Sequence, residues 1–214
     1  MDVSPKVWHS LLAAGTERPF AAGEVLLRQG DPPTHVLLLV TGRVKIVLGL
    51  PEQDMLLAVR WPGELLGEIA VLGGEDDHRS STVVALEPCL TRVLTADRFR
   101  ALIRTAGLEV ELLRLAMRRL REGEAWRAEI ATLPAGPRVV RALLRLAAPK
   151  ASGPLDVGLG QAEIGQAVGL SRGMVAAELA RLRDRGLVTT ARRRVVITDP
   201  ARLRALAESG HGSV

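Results

Sequence analysis

Short apolar runs separated by turn residues fill the chain between Phe20 and Leu94. Glycine, proline, aspartate or threonine bounds each run, and the spacing between runs is even. The runs are Val25–Leu27, Val36–Val40, Val44–Leu48, Met55–Val59, Val83–Leu86 and Leu90–Leu94. Such a series is typical of antiparallel all-β architectures. The pattern therefore predicts an antiparallel barrel or roll, preceded by a short helix that opens at Pro5.

A helical pattern returns at Thr95, and one stretch without proline runs from Leu108 to Leu133. If this stretch is wholly helical, it extends roughly 35–40 Å at 1.5 Å per residue. Its apolar residues cover more than one face, and they are Leu112, Leu113, Leu115, Ala116, Met117 and Leu120. One face suits the roll, and the surplus predicts a parallel helix pair with a second copy of the chain. Burial of the whole helix inside one monomer is the alternative.

The segment Leu133–Arg138, LPAGPR, interrupts this helix with two prolines and a glycine. Proline inside a helix removes a hydrogen bond and clashes with the preceding turn, so the helix is expected to end here. We predict a domain boundary and a hinge at this point. The chain then divides into residues 1–107, 108–136 and 137–214.

The charge of the chain is unevenly distributed. Residues 1–136 contain 16 Lys/Arg and 18 Asp/Glu, whereas residues 137–214 contain 13 Lys/Arg and 6 Asp/Glu. A basic rear segment of net charge +7 indicates a polyanionic partner, with a solvated basic surface as the alternative. Aromatic residues make up 2% of the chain and tyrosine is absent, so stacking platforms for single-stranded nucleic acid are poorly supplied.

The segment from Gln161 to Val188 has the layout of a helix-turn-helix. A turn at Gly169-Leu170 separates two apolar-faced helices, the first with Ile164, Ala167 and Val168, the second with Val175, Leu179 and Leu182. Ser171 is a suitable N-cap for the second helix. The outward positions of that helix are Arg172, Gly173, Ala176, Ala177, Arg181 and Arg183. Small residues with arginines on the exposed face favour insertion into the DNA major groove.

After Gly186, the stretch LVTTARRRVVI predicts two short strands around a basic turn of Arg192, Arg193 and Arg194. A hairpin of this kind forms a wing whose arginines contact phosphates. The capped second helix, the wing and the basic charge together predict duplex DNA as a partner.

The stretch from Gly67 to Ala85, GEIAVLGGEDDHRSSTVVA, places Gly67-Glu68 on one side of a loop and Arg79-Ser80-Ser81 on the other. Strand-like residues flank both sides. The spacing predicts a cradle for a ligand that carries hydroxyls and a negative charge. A mere ion pair between Glu68 and Arg79 across an empty loop is the alternative.

These segments resemble a known family. The stretch FAAGEVLLRQGDPPTHVLLLVTGRVKIV looks like the start of a cyclic-nucleotide-binding β-roll, and PGELLGEIAVLGGEDDHRSSTVVA is similar to its phosphate-binding cassette. With the long helix and the helix-turn-helix, about residues 7–207 resemble the cAMP receptor protein/fumarate-nitrate regulator (Crp/Fnr) family. The resemblance implies an α+β fold, with an N-terminal antiparallel effector roll, a dimerisation helix and a C-terminal winged helix-turn-helix. It also implies a bacterial, homodimeric transcription regulator, and it leaves RNA polymerase open as a further partner. The single cysteine and the lack of an apolar run of bilayer length fit residence in the cytoplasm.

The same resemblance implies the ligand contacts. Glu68 would accept a hydrogen bond from the ribose 2′-hydroxyl, and Arg79 and Ser80 would bind the phosphodiester. The full set carried over is Gly67, Glu68, Ile69, Ala70, Arg79, Ser80 and Ser81. The positions that face adenine in cAMP-responsive members hold Gly123 and Glu124, which lack the hydroxyl pair found there. Accordingly cAMP, another cyclic nucleotide, another small molecule and no effector at all stay open.

On the DNA side, the resemblance implies that Arg172 contacts guanine, whereas Gly173 and Ala177 replace two base-reading side chains of the family. The family's familiar operator is therefore not carried over. Gln161, Ser171 and the arginines 192–194 are expected at phosphates, and Arg181 is a weaker candidate for either role.

Other chemistries find little support in the sequence. A single cysteine, Cys89, excludes an internal disulfide and is expected in the core. His78 and the acids 75–77 are expected to be solvated loop residues, not metal ligands. With no nucleophile–base set and no Walker-type loop, we expect no enzyme, and no apolar run is long enough to cross a bilayer. A constitutive DNA binder with a vestigial pocket, and a regulatory module that docks on an enzyme, are the rival hypotheses.

Overall fold

The computed structural model of the chain describes residues 3–73, 77–148, 153–191 and 194–209. It consists of two compact units, Met1–Glu124 and Ala125–Val214. Their boundary lies inside a 24-residue helix, Glu109–Thr132. The three-part division expected from the sequence is a different partition, and it stays a prediction.

The described part of the first unit contains two antiparallel four-stranded sheets and flanking helices. The strands are β1 (Thr16–Phe20), β2 (Val25–Leu27), β3 (His35–Thr41), β4 (Val44–Gly49), β5 (Asp54–Arg60), β6 (Leu65–Leu66), β7 (Thr82–Ala85) and β8 (Cys89–Thr95). The helices are α1 (Pro5–Ala14), α2 (Glu68–Leu72), α3 (Ala96–Ala106) and the start of α4 (Glu109–Thr132). The strand orders are β1-β8-β3-β6 and β2-β7-β4-β5. The predicted antiparallel roll is confirmed.

Strand β3 shows how the roll acquires two apolar clusters. Successive side chains of a strand point to opposite faces. Val36 and Leu38 pack with residues of α1, α3 and α4, whereas Leu37 and Leu39 pack with residues of the facing sheet. All four are fully buried. A continuous apolar run is therefore what a strand covered on both faces requires.

Two segments of this unit differ from the sequence-based expectation. The stretch Thr16–Phe20, TERPF, forms β1 although it is mostly exposed, because its backbone pairs with all of Cys89–Val93 in β8. The residues after Gly67 form the short helix α2, not strand-like structure. Gly67 has φ +79°, a left-handed conformation that favours glycine, and this conformation turns the chain from β6 into α2.

The second unit contains the predicted helix-turn-helix. Its elements after the end of α4 are α5 (Ala135–Leu146), β9 (Leu155–Asp156), α6 (Gln161–Val168), α7 (Arg172–Asp184), β10 (Val188–Ala191), β11 (Arg194–Ile197) and α8 (Pro200–Ser209). The inward residues predicted for α6 and α7 are all buried. A Cβ at Gly165 would lie 2.6 Å from the carbonyl oxygen of Leu170, so only glycine permits this close crossing.

The wing is a three-stranded sheet with the order β10-β11-β9. The hairpin of β10 and β11 confirms the two predicted strands, and β9 adds a third that the sequence did not indicate. Arg194 is the first residue of β11 and not a turn residue, so its predicted place in the turn is wrong.

The predicted helix break lies where expected, but the segment is more regular than a loop. Helix α4 ends at Thr132 and α5 begins at Ala135, so Leu133 and Pro134 are the residues between them. The Arg138 guanidinium donates two hydrogen bonds to the Leu133 carbonyl, at 2.7 and 3.2 Å, and one to the Val168 carbonyl at 3.1 Å. The segment predicted as a hinge is thus braced against α6.

Candidate effector site and nucleic-acid interface

The candidate effector site is built around the turn from β6 into α2. A Cβ at Gly67 would lie 2.7 Å from Leu27 Cδ1 and closer still to the Arg79 guanidinium, so the site has no room for a side chain there. The next residue, Glu68, is 3% exposed. A carboxylate buried to this extent requires compensating partners, because transfer of a charge out of water is costly.

Arg79 is the second buried charged residue of the site, at 4% exposure. Its backbone is held by the loop before β3, since Arg79 N–H donates to the Asp31 carbonyl and Gly30 N–H donates to the Arg79 carbonyl, both at 2.9 Å. Its side chain donates to the Gly67 carbonyl at 2.7 Å and also to the His35 carbonyl. Arg79 is therefore fixed beside the start of α2.

Glu68 and Arg79 have different hydrogen-bond partners. The Glu68 carboxylate forms an ion pair with Arg119 of α4, which also donates to the Leu65 carbonyl at 2.8 Å. The other oxygen of Glu68, Oε2, is buried and accepts no hydrogen bond from the described residues. The alternative of a simple Glu68–Arg79 pair is therefore not what the site contains, and one buried acceptor is left for a ligand donor.

Arg119 was not singled out from the sequence. It lies within an arginine-rich helical stretch, and the sequence alone does not distinguish it from the neighbouring arginines 118 and 121. Its spacing from Leu112 and Leu115, the buried residues of the same face, is the signal that could have identified it.

Electrostatics at the site favour an anionic guest. Burial lowers the pKa of the Arg79 guanidinium, and the carboxylates of Glu68 and Asp31 oppose that shift. An arginine nevertheless stays protonated in proteins. A phosphodiester placed against it would offset the desolvation of the cation and could accept two hydrogen bonds from its planar fork.

The remaining residues carried over for the effector have varied surroundings. Ala70 is buried, Ile69 is 55% exposed, Ser80 is exposed and Ser81 is partly buried. Gly123 and Glu124 lie on α4, four and five residues after Arg119. The structure thus brings Gly67, Glu68 and Arg79 together, and the effector role of Ile69 stays a prediction.

Helix α4 has a second apolar face in addition to the one that covers the roll. Leu112 and Leu115 are buried, whereas Val110, Leu113, Met117 and Leu120 are 57%, 60%, 42% and 49% exposed. These four exposed residues, at successive spacings of three, four and three, are called the seam below. The alternative in which the whole helix is buried within one monomer is wrong for the described residues.

Helix α7 presents the candidate nucleic-acid surface. Ser171 is its N-cap, and the Ser171 hydroxyl accepts a hydrogen bond from the Met174 N–H at 3.2 Å, as predicted. Arg172, Gly173 and Ala177 are exposed. Gln161 is the first residue of α6, at the helix end where unpaired N–H groups suit a phosphate.

Two of the candidate arginines are engaged within the chain. Arg181 donates to Glu178 at 3.0 Å, and Arg194 pairs with Asp156 of β9 at 3.2 Å. A contact with DNA would add to these ion pairs or replace them, because the guanidinium of arginine has five N–H donors. Arg192 and Arg193 lie outside the described residues.

Other candidate chemistry is absent from the part of the chain that the structure describes. No group of three or more His, Cys, Asp and Glu residues there could hold a metal ion, and Glu75 and Asp76 lie outside it. His78 is exposed, and Cys89 is buried in the roll as expected. No helix among the described residues is long and apolar enough to span a membrane.

A roll with a buried cradle, followed by a long helix and a winged helix-turn-helix, is the domain arrangement of a transcription regulator. Two family models match the chain, the cyclic nucleotide-binding domain over residues 17–106 and the Crp-like helix-turn-helix domain over residues 137–206. The chain is 31% identical to the Cyclic AMP receptor protein of Thermus thermophilus over 192 residues, which are 89% of this chain and 87% of that protein. The chain belongs to the Crp family of transcription regulators.

Two further similarities concern a solved structure and an enzyme. The crystal structure of a CRP-family transcriptional regulator from Thermus thermophilus has a TM-score of 0.70 at 27% identity, covering 90% of this chain and 97% of that one. The acetyltransferase Pat of Mycolicibacterium smegmatis is 37% identical over 105 residues, 48% of this chain. The matched part of the chain spans 31% of that enzyme's length.

Proposed function

We propose that the chain is a homodimeric regulator that binds duplex DNA through α7 and the wing, and that a cyclic nucleotide in the roll controls this binding. The observation that carries the proposal is the buried Glu68 oxygen without a donor, next to the buried cation of Arg79. A DNA partner in a bacterium implies residence in the cytoplasm. The roles that we propose for individual residues are in binding, and none of them is catalytic.

The chemistry of the site fits a cyclic nucleotide. The ribose 2′-hydroxyl would donate to Glu68 Oε2, and a hydrogen bond to a charged acceptor is among the stronger ones. The phosphodiester would accept from the Arg79 guanidinium, which has five N–H donors, and from the Ser80 and Ser81 hydroxyls. Gly67 lets the ligand approach the backbone.

The base of the nucleotide is left open in this proposal. By the family resemblance, Gly123 and Glu124 would face the base, and neither offers the hydroxyl pair that meets adenine in cAMP-responsive members. Glu124 carries a carboxylate that accepts hydrogen bonds only. We therefore take cAMP as one candidate among cyclic nucleotides.

The seam supports a parallel dimer. Val110, Leu113, Met117 and Leu120 occupy the a and d positions of a heptad pattern. In a parallel pair the g position of one heptad faces the following e position of the partner, which would bring Glu109 of one copy near the partner's Arg114. An antiparallel pairing would lose this attraction.

At the DNA interface we assign the base-reading role first to Arg172. It is exposed and lies in the first turn of α7, where a recognition helix meets base edges. Gln161 and Ser171 are proposed at phosphates, with arginines 192–194 of the wing. Gly173 and Ala177 provide close approach and no hydrogen-bond donor from a side chain, and Arg181 stays a secondary candidate.

Arg119 offers a physical link between the effector and the long helix. It pairs with the same Glu68 carboxylate that a ribose hydroxyl would approach. Ligand binding would redistribute the hydrogen bonds of Glu68 and so change how strongly α4 is held against the roll. The effector then shifts the population of two arrangements of the DNA-binding units, provided that its affinity for the two differs.

Isothermal titration calorimetry with cAMP, cGMP and cyclic dinucleotides tests the effector half of the proposal, together with operator affinity measured by fluorescence anisotropy. We expect one of these ligands to bind the wild type and change its DNA affinity, and Glu68→Gln to lose most of that response. Glu17→Gln, at an exposed ion pair with Arg92 on the same unit, is the matched control and should respond like the wild type.

Two results would contradict the proposal. No heat with any ligand and an unchanged operator affinity would establish the effector-independent regulator with a vestigial pocket. No duplex binding even at low salt would instead favour a regulatory module that docks on an enzyme.

A further inference from the structure

Helix α7 carries an exposed apolar side chain that the roles above leave unused. Met174 is 48% exposed, and it is the third residue of the helix, directly after Arg172 and Gly173. Its backbone N–H is bonded to the Ser171 cap, so the first turn of α7 that presents it is fixed. In the part of the chain that the structure describes, about half of this thioether side chain is therefore left in water at the N-terminus of the helix.

The neighbours of Met174 have little reach. Residues three and seven positions apart lie along one stripe of a helix, which groups Met174 with Ala177 and Arg181. Ala177 ends at Cβ, and the Arg181 guanidinium is held by Glu178 at 3.0 Å. Gly173, on the other side of Met174, has no side chain. Met174 is therefore the longest apolar group on a surface that otherwise permits close approach of the backbone.

We propose that Met174 is a specificity-determining residue that contacts the C5-methyl group of thymine in the major groove. The thymine methyl is the one apolar feature that distinguishes a base pair in that groove, and apolar side chains read it. Methionine suits the task because its three rotatable bonds and polarisable sulfur adapt to an irregular surface. This inference rests on the proposed DNA-binding function.

The proposal divides the reading of the operator between two adjacent side chains. Arg172 supplies hydrogen-bond donors for a guanine, and Met174 supplies apolar contact for a thymine nearby in the same half-site. Burying one methyl group contributes about 0.8 kcal/mol, which corresponds to roughly fourfold in affinity for each half-site. A dimer on a two-fold-symmetric operator meets this contact twice.

Removal of single methyl groups from the DNA tests the proposal. Duplexes selected by the full-length wild type are resynthesised with deoxyuridine in place of one thymine at a time, which removes the C5-methyl and nothing else. We expect one thymine in each half-site at which this change weakens binding about fourfold in anisotropy titrations. Deoxyuridine at other positions should have little effect.

Variants at the same residue identify the partner of that methyl group. Met174→Gln, of similar length but polar, should bind the thymine and deoxyuridine duplexes equally, whereas Met174→Leu should keep the preference. Met55→Ala, on strand β5 of the roll, is the control and should behave like the wild type.

The outcomes separate this inference from the proposed function. If the wild type binds its selected duplexes but shows no position at which deoxyuridine weakens binding, or if Met174→Gln keeps the full thymine preference, the inference is wrong and the DNA-binding function stands. If the wild type binds no duplex, both are wrong.

Discussion

The seam of α4 is expected to stabilise the dimer by an amount that follows from the exposure of its leucines. Leu113 and Leu120 are 60% and 49% exposed in the single chain, and the proposed dimer buries both. Full burial of a leucine side chain contributes about 1.5–3 kcal/mol, so the exposed half contributes about 1 kcal/mol. Because a symmetric dimer contains each residue twice, the four side chains together stabilise it by about 4 kcal/mol.

The double variant Leu113→Gln/Leu120→Gln removes this contribution. At 1.4 kcal/mol per tenfold change, the dimer dissociation constant should rise by about three powers of ten. Glutamine is nearly as good a helix former as leucine, so the helix itself should persist. Circular dichroism of the variant checks its helix content. Sedimentation equilibrium over a wide concentration range measures the dissociation constant.

A matched control separates loss of the seam from a general effect of exposed glutamines. Leu50 and Leu57, on the roll, are 41% and 37% exposed. Leu50→Gln/Leu57→Gln changes the same chemistry away from α4 and should leave the dimer intact. Equal dissociation constants for the seam variant and the wild type would refute the assignment of this face to a second copy.

Three further predictions concern the roll. Gly67→Ala should lower the free energy of unfolding by about 1–3 kcal/mol in urea titrations, because φ is +79° and the new Cβ would lie 2.7 Å from Leu27 Cδ1; an unchanged midpoint would contradict this. Burial chiefly, and Glu87 next, raise the pKa of the Cys89 thiol, so a thiol reagent at pH 8 should react slowly with the native protein and rapidly in denaturant. Burial, then the positive charge of Arg79, lowers the pKa of His35 below 6.5. The unfolded chain therefore binds more protons, the unfolding free energy should fall as the pH drops below 6.5, and His35→Gln should flatten that part of the profile.

The parts of the fold that the sequence predicted are those with a strong local pattern. The apolar runs of β3 and β4 and the buried faces of α6 and α7 follow from side chains that must leave water together. Strand β1 has no such pattern, because its position depends on backbone pairing with β8, which lies far along the chain. The Thr91 hydroxyl of β8, for example, donates a hydrogen bond to the carbonyl of Arg18, 73 residues earlier. Helix α2 was missed because Ile69, Ala70 and Val71 have the composition of a strand, and the φ of Gly67 decides the turn.

The sequence predicted which residues form the candidate site, but not which residues their side chains pair with. The sequence placed Gly67, Glu68 and Arg79 together, but the partner of Glu68 is Arg119, 51 residues away on another element. Likewise, the sequence ranked Arg172 above Arg181, but it did not indicate that Arg194 pairs with Asp156, 38 residues away. The Arg181–Glu178 pair, by contrast, is a local i,i+3 contact on α7. Ion pairs between distant elements, such as Glu68–Arg119 and Asp156–Arg194, leave no periodic signal in the sequence.

The proposed function rests on a basic winged helix-turn-helix that binds duplex DNA through the exposed arginine at the start of α7. The most direct test is an anisotropy titration of a selected duplex with the wild type, Arg172→Gln and a control, Arg104→Gln, at the exposed end of α3. We predict that Arg172→Gln loses at least about fivefold in affinity for the selected site, since a bidentate contact to guanine discriminates by about 1–3 kcal/mol, while Arg104→Gln binds like the wild type. Equal binding by the Arg172→Gln protein and the wild type would contradict it.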